Sequence, residues 1–133
     1  MLGVLAGCGE YKDSMYADFA AAKADGAVER GWIPGWIPTT SVEIKEAHDL
    51  DTHRSALALR FSEKEEWSVP EHCERIERED VPSSPIHPSW WPSDIPPNSL
   101  ITHRHTYYAC EESAFVAVSQ SQGEFFYWRP RGI

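Results

Sequence analysis

At 133 residues the chain has room for one domain. Apolar residues at 41% and charged residues at 25% suit a folded globular protein and argue against disorder, and no run approaches the ~18 consecutive apolar residues of a membrane-spanning helix. Twelve Lys and Arg against twenty-one Asp and Glu give a formal charge of −9, which a phosphate backbone would repel, so nucleic acid is not an expected partner.

Met1 to Gly7 are uncharged and small or apolar, and Leu5-Ala6-Gly7-Cys8 resembles the lipobox of bacterial lipoproteins. Small side chains ahead of the cysteine admit the signal peptidase, and the Cys8 thiol is the nucleophile that accepts the lipid. The resemblance implies that residues 1–8 are a truncated signal remnant, that Cys8 is lipidated, and that 9–133 form one domain. A full export signal carries a basic start and an apolar run of about 7 to 15 residues, so it would begin upstream of Met1. Gly9 stands where an inner-membrane retention signal places Asp, which implies an outer-membrane anchor with the domain facing the periplasm. The expected partners are therefore the membrane, through the anchor, and a periplasmic protein.

Residues 13–30 are expected to form a helix, with Asp13 or Ser14 as cap and Met15, Phe19, Ala22 and Val28 as its apolar stripe, interrupted at Gly26. The duplicated Trp-Ile-Pro of Trp32–Pro34 and Trp36–Pro38 reads as an extended loop, because each proline forces its predecessor out of the helical region. Val42, Ile44, Glu46 and His48 then alternate with Glu43, Lys45 and Ala47. After the turn-rich Asp49-Leu50-Asp51-Thr52, the run Ala56–Phe61 alternates again, which predicts a β-hairpin.

Ser62-x-x-Glu65 and Ser68-x-x-Glu71 match the capping box. The second, with Pro70 in its first turn, predicts a helix to about Arg78 with Val69, Cys73 and Ile76 on one face. Residues 63–80 hold eight acids against three bases, the pattern of a solvated face. Six of the ten prolines lie between Pro82 and Pro97, so this stretch is a loop, and Trp90 and Trp91 imply that it lies across the fold. The last third reads as strands at 101–110, 114–118 and 124–128, with Gly123 in a turn that needs positive φ. The expected fold is α+β: a mostly antiparallel sheet of about five strands, two hairpins plus one strand, with helices packed on one face.

With Cys8 acylated in an oxidising compartment, Cys73 and Cys110 remain as an even pair, and a disulfide between them is expected. More broadly, Arg30 through Pro38, with Ser41, Ile44, His48, Asp51-Thr52 and the final Phe126-Tyr127-Trp128, resembles small bacterial envelope lipoproteins without an assigned activity. That resemblance implies the envelope location and brings no catalytic residues.

Three sets of residues have chemistry to offer. His103 and His105 share a strand face, and with His48 or a hairpin carboxylate they would make a zinc or copper site, the alternative to a cofactor-free protein. If Cys110 faces the helices, strand alternation puts both histidines on the opposite, more exposed face. Asp49, Asp51 and Thr52 lack calcium-loop spacing and read as a turn bonding its own backbone. Trp32 and Trp36 read as core, Trp90 and Trp91 as a binding surface. No nucleophile motif is present, so no enzyme is expected; the chain reads as a non-enzymatic, tethered binding module.

Overall fold

The computed structural model describes residues 11–84, 86–92, 105–111 and 113–130. The chain forms β1 (Tyr11–Asp18), α1 (Phe19–Ala24), β2 (Val42–Asp49), β3 (Ser55–Arg60), β4 (Glu74–Ile76), β5 (Thr106–Cys110), β6 (Ala114–Ser119) and β7 (Glu124–Arg129). All seven strands lie in one antiparallel sheet, in the order β1-β2-β3-β7-β6-β5-β4. Two meanders, β1-β2-β3 and β5-β6-β7, join where β3 pairs with β7, Leu57 opposite Tyr127.

The α+β expectation is corrected by this sheet. The longest described helix, α1, has six residues, and residues 78–80 add one 3-10 turn. Residues 13–18, the start of the helix expected over 13–30, instead belong to β1 and pair with β2, Tyr16 opposite Ile44. The apparent stripe fails because Met15 points outward, 69% exposed, while its neighbours Ser14 and Tyr16 turn inward. The cap moves accordingly to Asp18, whose side chain accepts from the Ala21 N–H at 2.9 Å. The Ala-rich stretch that follows, Phe19–Ala24, keeps its helix, while the residues before Asp18 pair with the sheet.

The second expected helix, 68–78, fails for a related reason. Strand geometry around β4 sends adjacent positions to opposite faces, so Val69 and Cys73 pack on one face of the sheet and Ile76 on the other. A spacing that suited one helical stripe thus serves two cores. With β1 and β4 added at the edges, the described residues form seven strands where about five were expected.

Both faces of the sheet are covered. On the first, Ile44, Leu57, Leu59, Val116, Phe125 and Tyr127 pack under α1, the Trp-Ile-Pro loop and residues 61–73. On the second, Ala47, Ala56, Ala117, Tyr107 and Trp128 pack under residues 81–84 and 86–91, with Ile86 and Trp91 as the main plugs. Small residues at the centre of this second face let a proline-rich segment lie close. The indole N–H of Trp128 fixes it by donating to the Pro82 carbonyl at 3.0 Å. The expected course of this loop, lying across the fold, holds for its described part. Gly123 has φ +64°, as its turn requires.

Candidate functional site

The alternation of β2 that buries Ile44 also buries Glu46 and His48, on the face beneath the Trp-Ile-Pro loop. Glu46 is 0% and His48 5% exposed. His48 Nδ1 lies 2.9 Å from Glu46 Oε2, and Glu46 Oε1 has no hydrogen-bond partner among the described residues. Burial pushes the Glu46 carboxyl up to about 8, with the Asp13 charge adding and Lys12 opposing. Burial also lowers His48, helped by Lys12 and His53 against Asp49. Both shifts favour the uncharged form, and in that form the contact is an O–H···N hydrogen bond from Glu46 to His48. The other ring nitrogen of His48, Nε2, then carries the hydrogen.

Trp32, from the first Trp-Ile-Pro, stacks on the His48 ring at 4.2 Å and 25°. Its indole also receives the Arg30 guanidinium at 4.9 Å and the Lys12 ammonium at 5.9 Å. Beside this stack a cleft of about 20 Å³ is lined by Arg30, Gly31, Trp32, His48, His53, Ser55 and Arg129, room for one water-sized group. Its walls are anchored from behind. Arg30 donates to the Asp25 carbonyl at 2.9 Å, and Arg129 donates to Tyr127 Oη at 2.8 Å and to Glu111 at 3.0 Å. The β2–β3 turn supplies His53 at φ +64°. That turn is closed by Asp49 Oδ1, which accepts from the N–H groups of Asp51 at 2.7 Å and Thr52 at 3.0 Å. The same two bonds hold the Asp49 carboxyl below its usual range. Asp49, Asp51 and Thr52 are thus a self-bonded turn, as their composition suggests.

The histidine site does not assemble. His48 lies on the first face against Trp32, whereas His105 lies on the second, against Tyr107 and Phe126, so the two cannot share a metal. His105 is buried and bonds Glu124 at 3.2 Å, so its face is a second core and not the exposed one expected. His103 is outside the described residues, as is Cys8. Among the described residues no group of three or more His, Cys, Asp or Glu is placed to hold a metal ion. Trp91, expected at the surface, is 7% exposed and packs edge-on against Trp128 and Phe126. Trp90 is half-buried and donates to Asp13 at 3.0 Å. Cys73 and Cys110 form a disulfide with Cα atoms 4.2 Å apart.

Sequence reasoning missed Arg30 and Arg129 as site residues; they join His53 only through the fold. It also missed Glu46, although the signal was present: an acid at an inward position of an alternating run, two residues from a histidine.

Residues 10–62 match the family model of the YbbD head domain. The stretch spans β1, α1, β2 and β3 and includes Glu46, His48 and all of the cleft except Arg129; β4 to β7 and the disulfide lie beyond it. Comparisons with curated proteins and with solved structures return no match.

Proposed function

We propose that this chain is a non-enzymatic lipoprotein of the bacterial cell envelope: a small binding module tethered to the outer membrane through Cys8 and facing the periplasm. The observation that supports it is the Cys73–Cys110 disulfide, a bond that persists in oxidising compartments and is reduced in the cytosol of ordinary bacteria. The Leu5-Ala6-Gly7-Cys8 tetrad supplies an anchor chemistry for such a domain. Similarity over residues 10–62 to a domain described as a head suits a module held away from its attachment point. With both sheet faces occupied by the chain's own segments, recognition falls to the loop rims, where Trp32, Arg30 and His53 stand.

The test is metabolic labelling with a palmitate analogue in a bacterial host, with the complete export signal in place. The expected result is a labelled protein in the outer-membrane fraction, with label and membrane association both lost in Cys8→Ser. Unlabelled protein recovered in the soluble cytosol with free Cys73 and Cys110 thiols would overturn the reading.

A further inference from the structure

We propose that the cleft between Trp32, His48 and Arg129 is an oxyanion site, which takes the carboxylate or phosphate end of a ligand. The proposal deepens the binding-module reading by giving it a ligand class. Its test involves neither lipid nor membrane, so either idea can fail while the other stands.

The lining argues for it first. Arg30, His48, His53 and Arg129 can all donate hydrogen bonds, Ser55 adds a hydroxyl, and among the described residues no Asp or Glu lines the cleft. That is unusual placement in a chain with nine more acids than bases. Carboxylates do stand nearby, but they are engaged elsewhere. Asp49 closes its own turn, Glu111 holds the far side of Arg129, and Glu46 is spent on His48. Among the described residues, no salt bridge satisfies Arg30; the groups that position it are the Trp32 ring and a backbone carbonyl.

Preorganisation argues for it second. Arg30, His48 and Arg129 are each held by a contact behind them, so an incoming anion need not order the two long arginine side chains. Glu46 does this for the histidine. By donating to Nδ1 it leaves the hydrogen on Nε2, so the buried ring enters the cleft wall as a donor while uncharged. Charge-assisted hydrogen bonds from a planar guanidinium match the geometry of a carboxylate or phosphate. The volume of about 20 Å³ sets the mode of binding: one oxygen of the ligand's terminal group enters, and the rest of the ligand lies outside against Trp32.

The site has a built-in reporter. The positive groups around His48, Lys12 and His53, help to lower its proton affinity, and a bound anion would reverse that effect. Isotope-labelled protein is titrated by NMR with inorganic phosphate and, separately, with acetate, each at constant ionic strength set with chloride. Saturable movement of the Trp32 indole N–H and of the His48 ring, with a rise in the His48 pKa, is expected for at least one anion; which one responds identifies phosphate or carboxylate as the ligand's end group. The exposed pair Arg30→Gln/His53→Gln should weaken that binding by about tenfold or more while leaving the melting temperature close to the parent's. A single Arg30→Lys, which keeps charge but loses the planar fork, should fall between. Non-saturating shifts with both anions, or saturable binding indifferent to these variants, would overturn the site.

Discussion

At the residue scale the most informative group is Glu46, because a carboxyl with no exposure and one unpartnered oxygen must be held neutral or cost the fold heavily. Its position follows from β2 alternation, and the protein accepts a polar residue there because His48 takes the proton's hydrogen bond. The pH consequence has a definite sign. Unfolded, the carboxyl ionises near 4.5; folded, it holds its proton to about 8. Between those values the native state binds the extra proton, so the contribution of Glu46 is full below the lower value. It declines by at most ~1.4 kcal/mol per pH unit as pH rises, and is flat above the upper one. Glu46→Gln keeps the shape and removes the titration. Relative to the parent, the variant should gain stability as pH rises from about 5 to about 8, by roughly 2 kcal/mol after allowance for relaxation. Denaturant melts of both proteins across that range check it. Parallel pH profiles would mean that Glu46 is ionised in the fold.

Among the elements, the loops do as much as the strands to fix the site. Glu65 shows how. Its carboxylate accepts from the backbone N–H groups of Thr39 and Thr40, each at 3.0 Å, and from both threonine hydroxyls. Burial works against the charged form, but the bonds from Thr40 and Thr39 outweigh it and hold Glu65 below the usual carboxylate range. The Trp-Ile-Pro loop is thereby tied to the 62–65 turn, and Trp67, two residues beyond it, donates to the Trp36 carbonyl at 3.0 Å. Glu65→Ala should cost about 1–2 kcal/mol in a chemical melt and leave Glu65→Gln intermediate, since the amide oxygen still accepts. The β6–β7 turn is tighter still. A Cβ on Gly123 would stand 2.2 Å from the Phe61 carbonyl oxygen, at φ +64°. Gly123→Ala should therefore cost at least ~1–3 kcal/mol by the same measurement. These elements also show what was legible in sequence. Strands β2 and β3 could be read from alternation, β5, β6 and β7 from short apolar and aromatic runs bounded by turn residues, and Gly123 because turn chemistry is local. Strand β1 could not, since an edge strand shows its pattern weakly and it runs directly into the Ala-rich helix α1, whose helical spacing extends back over Met15. Ser62-x-x-Glu65 matched a capping box, yet Glu65 bonds a loop more than twenty positions upstream, and no local pattern encodes that. The cleft was illegible for the same reason: Arg30, His53 and Arg129 meet only when β3 pairs with β7.

For the molecule as a whole, the question is what keeps β4 and β5 on a sheet whose other strands share larger cores. β4 is three residues long and lies at the edge, with Glu74 and Arg75 exposed, and so short a strand contributes little by itself. The bond from Cys73, just before it, to Cys110, at the end of β5, closes a loop with sequence separation 37. In the chain-entropy model a loop of that size is worth about 4 kcal/mol, a large share of the ~5–15 kcal/mol available to a domain. Cys110 is fully buried in the first core and Cys73 packs against it, so the bridge also pins residues 61–73 over the sheet. Reduction, or Cys73→Ser/Cys110→Ser, should therefore lower the melting temperature by more than about 10 °C, because ~1 kcal/mol moves a domain of this size by roughly 3 to 5 °C. Amide exchange sharpens the expectation: protection should fall first in β4 and β5 and persist in β3 and β7, which the sheet centre holds without the bridge. Non-reducing mass spectrometry should find the peptides containing Cys73 and Cys110 linked. An unchanged melt with uniform protection would show that packing alone secures the edge, and would remove the main support for an oxidising compartment.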